Sequence, residues 1–262
     1  MVDYNFTIRA TDKMGSFADR AFSMSIRNTR IERYMVINNT NAWTSPDGSF
    51  WALRAGFGGF TCAYGNGYWL ILRGSASAIT GIYKSTDGVN YAPTAVASMV
   101  WKDDSGATVS APVNNTNLKC LLKFFKGKFY FTSITSGSGG AYDLWSSADG
   151  VSWQRKRLFE ATDANYNATF GVATIPYIVL NEDNGTLIVP FPGTGTFAPA
   201  SATAYGWTTT DGVTFTPVRD AAYTGVNFAN ALNRVNGLWI AQYVNNRSTA
   251  SSYRYKIGRA HV

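Results

Sequence analysis

One short phrase recurs four times in this chain and constrains its fold more than any other feature. It reads Trp-Thr-Ser-Pro-Asp-Gly-Ser-Phe-Trp at 43–51 and Tyr-Lys-Ser-Thr-Asp-Gly-Val-Asn-Tyr at 83–91. It returns as Trp-Ser-Ser-Ala-Asp-Gly-Val-Ser-Trp at 145–153 and Trp-Thr-Thr-Thr-Asp-Gly-Val-Thr-Phe at 207–215. Asp-Gly between β-prone arms marks a hairpin turn, because glycine takes positive φ without penalty and aspartate bonds its own backbone. The aspartates Asp47, Asp87, Asp149 and Asp211 stand 40, 62 and 62 residues apart. A second turn recurs with them, at Asn66-Gly67, Lys126-Gly127, Asn184-Gly185 and Asn236-Gly237. Three of these four are Asn-Gly, the preferred pair for a type I′ hairpin.

Each unit therefore reads strand, tight turn, strand, loop, strand, Asp-Gly turn, strand. Four antiparallel strands in roughly 40–60 residues is the period of a β-propeller blade. The expected fold is all-β: an incomplete propeller with half a blade to Trp51, three full blades, and half a blade at the end.

Composition agrees with an all-β chain. The 262 residues are 45% hydrophobic and 15% charged, with 15 Tyr, 16 Phe and 8 Trp, enough apolar material for a large core. No run of 18 apolar residues is present, so membrane insertion by a helix is not expected. Two cysteines, Cys62 and Cys120, make no disulfide framework or metal site, and they read as buried thiols at equivalent places in adjacent units. The basic residues behind the +7 net charge are scattered, without a block or stripe, so no nucleic-acid partner is expected. No cofactor is expected either.

The two ends read differently from the middle. Residues 1–28 alternate apolar and polar positions around a Gly-containing turn at 12–15, which is a hairpin pattern. The segment 256–262, Lys-Ile-Gly-Arg-Ala-His-Val, back-translates into text resembling a short-read sequencing adapter, and it contains His261, the only histidine. It reads as a sequencing artefact, and without it the formal charge falls to +5 by loss of Lys256 and Arg259.

The repeated phrase resembles the Asp-box, or BNR, repeat of sialidase-type β-propellers, over 29–255. The matching positions are Ser45, Asp47, Gly48 and Trp51; Ser85, Asp87, Gly88 and Tyr91; Ser147, Asp149, Gly150 and Trp153; and Thr209, Asp211, Gly212 and Phe215. In that family the motif is structural, which implies a scaffold and says little about activity. The opening hairpin resembles the last two strands of bacterial and phage immunoglobulin-like (cadherin-like) domains, which implies that residues 1–28 close a truncated domain.

Catalytic residues are hard to find. Sialidase-type enzymes use three arginines on a carboxylate, a Tyr–Glu nucleophile pair and an Asp acid/base, and ordinary glycosidases use two placed carboxylates. Only three glutamates are present, Glu32, Glu160 and Glu182, and the family's Arg-Ile-Pro signature is absent, since Thr174 precedes Ile175-Pro176. Seven of the eight tryptophans fall on the repeat and read as core between blades; Trp101 does not.

If both tight turns lie at one end of each sheet, the longer connections build the other end. These are 54–58, 73–78, 95–117, 135–140, 157–174, 192–202 and 245–250. Loops on a rigid scaffold concentrate recognition. Trp101, Asp103 and Asp104 in one long loop, and Arg157, Glu160 and Tyr166 in another, are the ligand-contact candidates. The combined resemblances imply a phage tail or tail-fibre protein, or a bacterial surface adhesin. Its expected partners are a cell-surface glycan or receptor and other virion tail proteins, with a sialidase-like glycoside hydrolase fragment as the alternative.

Overall fold

The computed structural model describes residues 2–11, 13, 15, 17–26, 32–75, 78–112, 121–135, 141–160, 180–190, 203–220, 229–235, 238–244 and 253–258. The chain is all-β, and no α-helix occurs among the described residues. β1 (Val2–Thr11) and β2 (Phe17–Ile26) pair antiparallel as a separate two-stranded sheet, with Phe6 opposite Phe22.

Five further sheets follow in chain order. The first holds β3 (Tyr34–Ile37), β4 (Asn41–Ser45) and β5 (Ala52–Ala55). The second holds β6 (Thr61–Gly65), β7 (Tyr68–Ser75), β8 (Ala78–Ser85) and β9 (Ala92–Ala95). In the third, β10 (Val100–Lys102) joins β11 (Lys123–Phe125), β12 (Lys128–Thr135), β13 (Ala141–Ser147) and β14 (Ser152–Glu160). β15 (Asn181–Asp183), β16 (Thr186–Pro190), β17 (Thr203–Thr209) and β18 (Thr216–Asp220) form the fourth. β19 (Ala229–Val235), β20 (Leu238–Val244) and β21 (Tyr253–Gly258) form the fifth.

The tight turns explain this regularity. Asn66, Lys126 and Asn184 each have φ between 42 and 49°, followed by a glycine near 70–81°, so both central residues are left-handed as a type I′ turn requires. An antiparallel meander puts its first and third turns at the same end. The Asn-Gly and Asp-Gly turns of each four-stranded sheet therefore share one end, and the β7–β8 type of connection lies at the other.

Two departures from the repeat pattern stand out. The first and last sheets, where half blades were expected, each have three strands: β5 continues past Trp51 to Ala55, and β21 runs through Gly258. β21 thus pairs Lys256 and Ile257 with Ala241 and Ile240, inside the segment that resembles adapter text. The other departure is β10, which comes from the expected loop 95–117. It pairs parallel to β14, with Trp101 opposite Trp153, as a fifth, edge strand.

The core runs through consecutive sheets. Leu70, Leu72, Phe129, Phe131, Trp145, Trp153, Leu187, Val189 and Trp207 belong to one buried cluster, and Ala42, Ile71, Tyr83 and Tyr91 to a second. β7 and β12 are buried on both faces, which is why they read as continuous apolar runs.

A recurring contact joins the second, third and fourth sheets each to what precedes it. A Cβ built on Gly150 would stand 2.7 Å from Leu70 Cδ1 in the preceding sheet. At Gly88 it would stand 2.5 Å from Cβ of Glu32, two residues ahead of β3, and at Gly212 it would collide with the Tyr130 hydroxyl. Hydrogen bonds accompany this packing. The Tyr68 hydroxyl and Asn66 Nδ2 donate to Ala148 O at 2.9 and 3.0 Å, Glu32 N donates to Asp87 O at 3.1 Å, and Lys126 Nζ donates to Thr210 O.

Candidate functional site

The four Asp-Gly turns share one hydrogen-bond scheme. The hydroxyls of Ser45, Ser85, Ser147 and Thr209 each donate to the aspartate two residues on, at 2.8–3.2 Å. Each hydroxyl also accepts from the following glycine N–H at 2.8 Å. The same carboxylate oxygen takes the next two backbone amides; for Asp149 these are Val151 N at 2.7 Å and Ser152 N at 2.8 Å. The closing aromatic then donates to the glycine carbonyl, as Trp51, Tyr91 and Trp153 do at 2.9–3.0 Å. Phe215 has no polar hydrogen to give.

Amide donors stabilise an ionised carboxylate, so these groups titrate low. Burial works against the charge of Asp87, yet the Asn90 and Val89 amides outweigh it and hold the carboxyl at about 2. Asp149 is lowered in the same way, against its burial, and Asp47 and Asp211 chiefly by the amides of Ser49 and Val213. A carboxylate saturated with donors and locked ionised is a poor general acid.

The long-loop candidates divide sharply. Trp101 is 3% exposed and stacks on Trp153, with ring centroids 5.8 Å apart and planes 11° apart, while meeting Trp145 edge-on. Its expected place on a ligand-facing loop is corrected: the parallel pairing of β10 carries the indole into the core. Asp103 and Asp104 do lie together, on the edge strand side of β14. Asp103 Oδ1 takes Ser105 N and Oγ and Ala107 N at 2.7–3.0 Å, which fastens the loop and lowers its carboxyl, the Ser105 hydroxyl contributing most. Asp104 accepts from Arg155 Nε at 3.1 Å and from Arg157 N at 2.9 Å.

Arg157 reaches inward, its Nε 2.9 Å from Asp143 Oδ1. Burial pushes the Asp143 carboxyl up, while Arg157 pulls it down. Asp143 is buried beneath its arginine and closed to a substrate. Of the remaining carboxylates, Glu32 is buried and paired with Arg54 Nη2 at 3.3 Å, and Glu182 pairs with Lys123 at 3.5 Å across the third and fourth sheets. Glu160 ends β14 opposite Ala141, and Tyr166 lies outside the described residues. Cys62 carries a thiol that burial pushes up to about 12, and Cys120 lies outside the described residues. Among the described residues no three His, Cys, Asp or Glu side chains group to hold a metal ion.

A groove of about 480 Å³ opens where the third sheet meets the Asp211 turn. Lys128, Ser146, Gln154 and Lys156 line its floor, Asp104 to Gly106 with Arg155 form one wall, and Gly212, Val213 and Phe215 form the other. Of these only Asp104 is a ligand-contact candidate from the sequence, where Gly212 and Phe215 read as structural positions of the repeat. The floor residues come from three strands, so nothing in their spacing linked them. The run Gln154-Arg155-Lys156-Arg157 was the one available signal, since strand alternation gives Gln154 and Lys156 one face and the arginines the other. The groove lies toward the tight-turn end of the third sheet, and of the connections expected to bind, 95–117 reaches it through Asp104 to Gly106.

No family model matches the chain, and no curated protein matches it.

Proposed function

We propose that the chain is a recognition module without catalytic chemistry, built as an incomplete Asp-box β-propeller and belonging to a phage tail or a related surface adhesin. Its partner in this reading is a cell-surface glycan or receptor. The observation that carries the propeller reading is the repeated sheet-to-sheet contact. Gly150 and Gly212 rest on the register-equivalent residues Leu70 and Tyr130 of the preceding sheet, and Gly88 on Glu32 just ahead of β3, so the second-to-third and third-to-fourth sheets are related by a similar step. A chain of sheets related by one step is the construction principle of a propeller.

The carboxylates support binding over catalysis. Glycoside hydrolysis needs two carboxyl groups roughly 5–9.5 Å apart that face one sugar, with one of them protonated. The described carboxylates near the groove are instead tied to arginines, closed from solvent or, as at Asp211, taken up by turn amides and held ionised. A glycan array and whole-cell binding assay on the full chain, with product analysis of every bound saccharide, tests the reading. Binding without turnover is expected; turnover of a bound saccharide overturns it.

A further inference from the structure

The groove against the third sheet has a counterpart one repeat earlier, and the pair shows which features belong to the scaffold. The earlier groove is lined by Tyr68, Lys84, Ser85, Thr86, Asn90, Tyr91 and Ala92, beside the Asp149 turn. Pairing register makes Tyr68, Lys84 and Ala92 the equivalents of Lys128, Ser146 and Gln154. In the earlier groove the lysine is already engaged, with Lys84 Nζ 3.1 Å from Asp149 O and 4.2 Å from the centre of the Tyr68 ring. In the later one, the floor offers two ammonium groups, a hydroxyl and a carboxamide, and neither Lys128 nor Lys156 lies within ion-pair distance of a described carboxylate.

The second difference is the wall. The turn from Asp103 to Ala107 is fastened by its own hydrogen bonds and held to the sheet by Arg155 and by Gln154 Nε2, which donates to Asp103 O. This wall comes from the segment between the second and third sheets and has no counterpart among the described residues lining the earlier groove. Arg155 and Asp104 pair with one another, which leaves Lys128 and Lys156 as the cations of the lining without an ion-pair partner among the described residues, so the site favours an anion, and a pre-positioned loop lowers the ordering cost of binding one.

We infer that this groove binds an acidic saccharide bearing carboxylate groups. Lys128 and Lys156 meet the carboxylate, Asp104, Ser146 and Gln154 bond ring hydroxyls, and the exposed side of Phe215 contacts the apolar face of a sugar ring. Asp104 argues for a saccharide over an acidic peptide: its carboxylate accepts from hydroxyls and repels a run of carboxylates. The inference rests on the recognition reading above, and it locates the site at the tight-turn end.

Calorimetric titration of the full chain with a galacturonate tetramer, maltotetraose and a tetra-aspartate peptide tests it. The uronate is expected to bind, with affinity falling as salt is raised, and the other two are not. Lys128→Gln with Lys156→Gln is expected to weaken binding by roughly tenfold or more, as loss of charge-assisted hydrogen bonds should. Gln154→Glu, an exposed change that sets a carboxylate in the groove, is expected to abolish it, and Lys84→Gln in the earlier groove to leave it unchanged. No saturable uronate binding, equal binding of the peptide, or full affinity in the lysine variant overturns the inference. Binding of neutral glycans alone would remove this site while leaving the recognition reading in place.

Discussion

The first and third Asp-Gly units carry the same phrase and the same carboxylate bonds, yet their closing tryptophans end in different places. Trp153 is 1% exposed, stacked on Trp101 and edge-on to Phe131; Trp51 is 43% exposed. Both donate to the carbonyl of their turn glycine, at 2.9 and 3.0 Å. The turn chemistry is therefore local and complete in both units, and burial is supplied by neighbouring sheets. The third sheet has one on either side, and it also has β10. The first sheet leaves Tyr34, Val36, Phe50 and Leu53 exposed beside Trp51.

The largest expected effect follows directly. Trp153→Ala should destabilise the fold by about 3–5 kcal/mol, as truncating a buried large aromatic does, and Trp51→Ala by less than about 1 kcal/mol. Denaturant unfolding of the two variants measures this, and equal losses would break the comparison.

The turn glycines sharpen it. Both Gly48 and Gly150 have positive φ, at 84 and 77°. A side chain at Gly150 also meets Leu70, whereas at Gly48 the nearest atoms are 3.9 Å away, in Tyr34 of its own sheet. Gly48→Ala should cost about 1–2 kcal/mol from the backbone alone, and Gly150→Ala about 1–3 kcal/mol more from overpacking. The thermal midpoints of the two variants should separate accordingly.

A smaller effect concerns pH. The Asp87 carboxyl is lower folded, at about 2, than the roughly 3.9 of an unfolded aspartate. The unfolded chain thus binds more protons in this window. Its contribution is fully present above about pH 4 and is lost as pH falls through 2. Asp87→Asn should flatten the stability profile between those limits, measured by urea unfolding at stepped pH.

The smallest prediction concerns the fourth unit. Phe215→Tyr should add the bond to the Gly212 carbonyl that Tyr91 makes to Gly88, stabilising by roughly 0.5–1 kcal/mol.

What could be read from sequence was what the backbone decides locally. Asn66-Gly67 and the four Asp-Gly pairs announce turns because few other residues tolerate positive φ there, and the strands between them follow. Trp101 could not be placed that way. Its burial depends on a parallel pairing with a strand about 50 residues later, and a three-residue strand has no periodicity to detect. The groove was hidden for the same reason: Lys128, Ser146 and Gln154 come together only once β12, β13 and β14 are in register. Repetition hid one more difference, because phrases of the same pattern at 43–51 and 145–153 give no sign that only one has sheets packed on both sides.

The central claim is that the Asp-Gly turns of the second, third and fourth sheets lock each of them onto what precedes it, and a double-mutant cycle between Leu70 and Gly150 tests this most directly. Leu70→Ala removes the branched end that an alanine at position 150 would strike. The account predicts that Gly150→Ala costs less in the Leu70→Ala background than alone, with a coupling of roughly 1 kcal/mol or more between residues of different sheets. Strictly additive losses would contradict it.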